Sequence, residues 1–188
     1  MDFLGNIKRY VPINEQEEKD KEVIIKYIND FPENILTRAN EYAHISSSGF
    51  ILNKNRDKVL LIYHNIYKSW AWTGGHADGE SDLLSVALRE AKEETGVDTK
   101  PILNDIFVVD ILPVIGHFKR GKWVSSHEHL NVTYILEADD TQKLFIQEDE
   151  NSGVKWVPIE KVVESSSEEM MRVVYQKIID KMKLENII

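Results

Sequence analysis

Three glutamates, Glu90, Glu93 and Glu94, stand at i, i+3 and i+4 within Arg89-Glu90-Ala91-Lys92-Glu93-Glu94-Thr95-Gly96-Val97. In a helix turning about 100° per residue, all three fall within roughly a 100° arc of one face. Like charges at this spacing cost about 0.2–0.5 kcal/mol per pair. Near a helix C-terminus the macrodipole adds to the repulsion. A hard divalent cation reverses both penalties. Oxygen-only ligation suits Mg²⁺ or Mn²⁺, which are commonly held by a few carboxylates with waters and substrate phosphates. An acidic helix face taken alone is more often only solvated surface, so its surroundings decide.

Those surroundings belong to a chain of 188 residues with 42% hydrophobic content, enough for one compact domain with added terminal elements. Lys plus Arg number 23 against 32 Asp plus Glu, a formal charge of −9. No basic run is long enough to track a nucleic-acid backbone, which argues against a duplex nucleic-acid partner. The chain has no cysteine, which excludes disulfides, zinc-thiolate sites and thiol nucleophiles, and makes the cytosol the expected compartment. The most apolar run, Ile106 to Ile115, is interrupted by Asp110 and Pro113, so no membrane partner is expected.

Asn14 reads as an N-cap with Glu17 as its capping-box partner, and Val23, Ile24, Tyr27, Ile28 and Phe31 recur at helical spacing up to Pro32. Ala43 to Leu52 and Lys58 to His64, separated by the polar turn Asn53 to Asp57, read as a hairpin. The glutamates lie on a helix from Asp82 to Thr95, with Ser81 or Asp82 as N-cap and Gly96 at C′. Its stripe of Leu84, Ala87, Leu88 and Ala91 is expected against the sheet, with the glutamates bordering a cleft. Ile106 to Phe118 and Trp123 to Glu137 alternate as strands joined around Lys119-Arg120-Gly121-Lys122, a solubilising turn. A short strand, Val154 to Val157, precedes a last helix capped from Ser165-Ser166-Ser167, with Met171, Val174, Ile178 and Met182 as its apolar stripe. The interleaving predicts an α/β fold with a mixed sheet.

The run Gly74-Gly75-His76-Ala77-Asp78-Gly79-Glu80 before the helix, with Arg89 to Val97 closing it, resembles the Nudix box. That pattern is Gly, five residues, Glu, seven residues, then Arg-Glu-aliphatic-x-Glu-Glu-x-Gly-aliphatic. Anchored on Gly75, every position from Arg89 to Val97 matches, while the first Glu falls on Ser81 between Glu80 and Asp82. The resemblance implies an α/β/α sandwich with extra N- and C-terminal helices: residues 1–40 as a helical extension and 41–188 as the hydrolase domain. It implies a Mg²⁺- or Mn²⁺-dependent hydrolase that cleaves a phosphoanhydride in a nucleoside diphosphate derivative, a small nucleotide-type substrate. By the same resemblance, Glu90, Glu93, Glu94 and the main-chain carbonyl of Gly74 are metal ligands. Arg89 orients the glutamates, and Glu90 is the first choice as general base.

Outside the box, strand alternation puts Leu130, Val132 and Tyr134 on one side and His127, His129, Asn131 and Thr133 on the other, where the histidines could meet phosphate or base. Zinc ligation by His127 and His129 is disfavoured, because no third soft ligand stands nearby in the sequence. Glu150 or Glu148, in an acidic loop, could ligate metal or activate water. His76, and Trp70 or Trp72, which share one side if strand spacing holds, are further candidates for substrate contact. Two other classes compete: a non-catalytic Nudix-like nucleotide sensor, opposed by the intact glutamates, and an isopentenyl-diphosphate-isomerase-like enzyme, opposed by the missing cysteine. Apolar faces left over on the terminal helices could also make a homodimer contact.

Overall fold

The computed structural model describes residues 2–119 and 121–188. Helices α1 (Phe3–Arg9) and α2 (Glu15–Asp30) precede β1 (Ala43–Asn53), β2 (Lys58–His64), β3 (Ser69–Ala71) and β4 (Thr73–His76). Then come α3 (Leu83–Thr95), β5 (Thr99–Pro101), β6 (Val108–Val114), β7 (His117–Lys119), β8 (Lys122–Val124), β9 (His127–Ala138) and β10 (Asn151–Pro158). A 3₁₀ turn (Ile159–Lys161), α4 (Val162–Ser165) and α5 (Glu169–Leu184) close the chain. Among the described residues no helix is long and apolar enough to cross a membrane.

Eight strands form one mixed sheet in the order β10-β2-β1-β9-β5, with β3 paired to β2, β4 to β1 and β6 to β9. β1 and β9 run parallel, with His44 opposite His129 and Ser46 opposite Asn131; the other pairs in this sheet are antiparallel. Alternation along the strands feeds two cores. Ile45, Ile51, Leu130 and Val132 pack with Ile24 and Ile28 of α2 and Leu83, Ala87 and Ala91 of α3. Phe50, Leu61, Val108 and Ile135 pack with Val174, Tyr175, Ile178 and Met182 of α5. This is the α/β/α sandwich with terminal helices, its sheet buried on both faces.

Several local expectations need correction. The strand expected over Ile106 to Phe118 breaks at Ile115 and Gly116, and its partner breaks at Ser125 and Ser126. β7 and β8 therefore form a separate small hairpin; Gly121 carries its turn at φ +76°, and Arg120 lies outside the described residues. Helix α5 starts without a side-chain cap: Ser165 belongs to α4, and Ser166 Oγ instead accepts the Glu168 N–H at 3.3 Å. Asn14 does cap α2, accepting the Glu17 N–H at 2.9 Å. Glu17, however, does not close back on Asn14: its carboxylate accepts from Ile13 N–H and Tyr10 OH.

The terminal helices are locked together across β6 by buried polar contacts. Lys177 Nζ of α5 lies 2.6 Å from Asp110 Oδ1 and 3.1 Å from Glu17 Oε1, with all three side chains nearly inaccessible. Lys181 Nζ donates to the Phe107 carbonyl at 2.6 Å, and Tyr10 OH reaches the same oxygen at 3.2 Å. One lysine answers two carboxylates, and burial pushes Asp110 up to about 6 despite Lys177.

Candidate active site

The helix carrying the glutamates forms for local reasons. Asp82 caps it by accepting the Ser85 N–H at 3.2 Å, and Gly96 ends it in the left-handed region at φ +77°. Glu80 Oε1 accepts the Asp82 N–H at 2.7 Å, so both acidic neighbours of Ser81 fasten the loop to the helix. Asp78 and Gly79 turn that loop at positive φ, and Arg38 Nε donates to Asp78 Oδ1 at 2.9 Å.

The stripe facing the sheet is not the expected one. Leu83, Val86, Ala87, Glu90, Ala91, Glu94 and Thr95 are buried, whereas Leu84 and Leu88 are only partly so. Glu90 and Glu94 therefore sit within the protected side of α3, and Glu93 alone of the three is exposed. Glu94 is 2% exposed, and its Oε2 accepts the Gly74 N–H at 2.9 Å. Arg89 Nη2 lies 3.0 Å from Glu90 Oε1. The double glycine is required by this approach: a Cβ on Gly75 would fall 2.4 Å from Glu90 Cδ, and one on Gly74 would fall 2.4 Å from Ser48 Oγ.

Burial is the main cause that pushes the Glu90 carboxyl up to about 7; Arg89 pulls it down, and Glu93, Glu150 and Asp78 push it further up. Glu94 is raised well above the usual carboxylate range, again by burial first, then by Glu90 and Glu150, with the Gly74 N–H opposing. Two buried carboxyls with three more acidic groups around them are costly unless a cation joins them. The donor set is oxygen only and fits a hard divalent ion.

A cavity of about 570 Å³ gathers most of the candidates. Gly74, His76, Arg89, Glu90, Glu93 and Glu94 line it, as do Trp72, His127, His129, Asn131 and Glu150. The size lies within the range of small-molecule sites. Trp70 stands elsewhere, edge-on to Tyr63 at 5.4 Å, with Lys155 Nζ 3.8 Å over its ring. The two tryptophans diverge because the chain passes from pairing with β2 to pairing with β1 between them, and strand alternation does not cross that step. The Trp72 ring packs on Tyr175 at 5.4 Å, and the main-chain N–H of Trp72 donates to the Tyr175 hydroxyl at 3.0 Å. Glu148 is also elsewhere, its carbonyl accepting from Asn65 Nδ2, while Asp149 joins Glu150 at the cavity.

Sequence reading missed two contributions. Arg38 brings a cation to the acidic cavity from the segment before β1, with no local pattern to announce it. His44 and His76 join His127 and His129, so the expectation that no third soft ligand stands nearby is overturned. The four come together because β4 and β9 flank β1, with His44 opposite His129 and His76 opposite Ser46. Below them Ser46 and Ser48 both donate to Asn131 Oδ1, at 3.0 and 2.9 Å, and Asn131 Nδ2 donates to Thr133 Oγ1. The alternation His44, Ser46, Ser48 was the available signal for one polar sheet face.

The sandwich packs a double glycine against the helix that carries Arg89, Glu90, Glu93 and Glu94, with Glu90 and Glu94 buried. A family model described as the NUDIX domain matches residues 43–181, and the chain belongs to that family. It is 27% identical over 143 residues to a "Probable DHNTP pyrophosphohydrolase" of Lactococcus lactis subsp. cremoris (strain MG1363), covering 75% of this chain and 81% of that protein. It is 27% identical over 153 residues to "Nudix hydrolase 6" of Arabidopsis thaliana, covering 78% of this chain but only 49% of that longer protein. A solved MutT protein from Methanosarcina mazei Go1 shares the fold, with a TM-score of 0.57 at 18% identity over 77% of this chain and 98% of that one.

Proposed function

We propose that the protein is a divalent-cation-dependent hydrolase that cleaves a phosphoanhydride in a nucleoside diphosphate derivative, with residues 41–188 as the catalytic unit and 1–40 as a helical extension. The observation that carries the reading is the burial of Glu90 and Glu94 against Gly74 and Gly75 at the wall of the cavity. The relative named a pyrophosphohydrolase supports the bond class.

Glu90, Glu93 and Glu94, with the Gly74 carbonyl, would hold Mg²⁺ or Mn²⁺. When bound, the ion supplies the positive charge that neutralises a pyrophosphate entering an acidic cavity. Arg89 keeps Glu90 aimed through their 3.0 Å pair, and Glu90 takes the proton of the attacking water. Glu94 is held by the Gly74 N–H, which fixes the helix to β4. Arg38, which also lines the cavity, offers a donor to phosphate or base. Nucleoside triphosphates, nucleotide sugars and dinucleoside polyphosphates, incubated with Mg²⁺ or Mn²⁺ and read by mass spectrometry, test the reading. Cleavage between phosphates in at least one is expected. Nucleotide binding without turnover under either cation would favour the sensor instead.

A further inference from the structure

Four imidazoles crowd one end of the cavity. The ligating nitrogens of His44, His76, His127 and His129 all lie within 4.8 Å of one another. His129 Nε2 is 3.1 Å from His76 Nε2 and 3.3 Å from His127 Nε2. His127 Nδ1 lies 2.8 Å from the Ser125 carbonyl, so its proton sits on Nδ1 and its Nε2 lone pair faces His129. If His129 carries its proton on Nε2, that proton serves only one of the two nitrogens facing it. If it carries the proton on Nδ1, two lone pairs oppose each other at the 3.3 Å contact. His44 repeats the pattern: Nδ1 lies 3.0 Å from the Asn40 carbonyl, while Nε2 is buried with no hydrogen-bond partner. The residue is 4% exposed.

Carbonyls on Nδ1 that turn Nε2 inward are the arrangement by which proteins orient metal-binding histidines. A tetrahedral ion with metal–nitrogen bonds of about 2.0–2.1 Å sets its ligand nitrogens roughly 3.3–3.4 Å apart. Two of the observed separations already lie near that value.

We propose that His44, His76, His127 and His129 form a binding site for a zinc-class divalent transition-metal ion, separate from the carboxylate site on α3. Neutral nitrogen donors select borderline ions such as Zn²⁺ over the hard ions that suit Glu90, Glu93 and Glu94. Four protein ligands make a closed site, so its role is structural. The ion clamps β1, β4 and β9 together, and because His76 follows Gly75 it fixes the loop against which Glu90 packs.

The test is metal binding by the 188-residue chain, stripped with chelator and titrated with Zn²⁺ against a chromophoric competitor. The Glu90→Gln/Glu94→Gln double variant serves as background, so the outcome is independent of hydrolytic activity. One equivalent of Zn²⁺ is expected, with X-ray absorption showing about four nitrogen neighbours near 2.0 Å. His44→Gln and His129→Gln should each weaken binding by about 100-fold or more. Far-UV circular dichroism establishes that they fold, and the half-buried His76→Gln, His127→Gln and His129→Gln provide the reading if the buried His44→Gln unfolds the chain. Absence of stoichiometric Zn²⁺ in the folded protein, undiminished binding in the histidine variants, or an oxygen-dominated shell would each overturn the site.

Discussion

The two clusters in the cavity solve opposite electrostatic problems. On α3, carboxylates are held together against their own repulsion, and burial drives Glu90 and Glu94 toward their protonated forms. On the sheet, burial works against protonation at two imidazoles: it lowers His44, and together with His76 and His44 it pushes His129 down to about 2. The first cluster needs positive charge from outside, and hard oxygen ligands define what supplies it. The second presents nitrogen atoms instead, whose lone pairs suit a different kind of ion. A cavity walled by both can keep two kinds of cation apart by donor chemistry alone.

The sharpest way to break this contrast is Glu94→Gln. Cation-dependent turnover should fall by at least about 100-fold, comparable to losing a key electrostatic group in other enzymes. Stability without metal should hold or rise, since an amide oxygen can still accept from Gly74 and one of the two buried carboxyls is removed. Turnover like that of the wild type would refute the role of Glu94. Next is Lys177→Met, well away from the cavity. It removes the cation that pairs directly with buried Glu17 and Asp110 and should cost about 3–5 kcal/mol in urea unfolding. That would measure what a buried carboxylate pair loses when its counter-charge is removed.

Gly75→Ala should cost about 1–3 kcal/mol and reduce turnover, because its Cβ can be accommodated only by moving Glu90. Of similar size is the pH dependence of Asp110, raised from 3.8 to about 6 in the folded state. The folded chain then holds this proton more tightly than the unfolded chain between those values. Its contribution to stability is therefore present below pH ~4 and falls as pH rises through about 6. Over that window the wild type should lose on the order of 1–3 kcal/mol relative to Asp110→Asn. Parallel stability curves for the two proteins would contradict the shift.

The difference between the clusters also explains what could be read from the chain. Glu90, Glu93 and Glu94 are neighbours through helix geometry, and their cap, stop and preceding loop are local, so one sequence window holds the whole device. What the window did not contain was the packing direction: the burial of Val86 with Glu90, and the exposure of Glu93, depend on how the sheet meets α3. The histidines meet only through the parallel register of β1 on β9 and the antiparallel register of β4 on β1. His127 and His129 were visible as an alternating pair, but nothing near them names His44, 83 residues and more away, as a partner. Trp70 and Trp72 show the converse, with a local rule failing where the chain changes partner strand.

The lock between the terminal helices has a consequence for the order in which the molecule assembles. Tyr10 and Lys181, 171 residues apart, meet beside the Phe107 carbonyl, and Lys177 reaches Gln16 across 161 residues. Closing loops that span most of the chain costs more entropy than pairing β1 with β2 across a short turn. These contacts therefore favour late formation, after the sheet has brought α2 and α5 to the same edge. A nascent chain would then hold Glu17 and Asp110 in water until its last helix emerges, and the burial of those charges marks the completion of folding rather than its beginning.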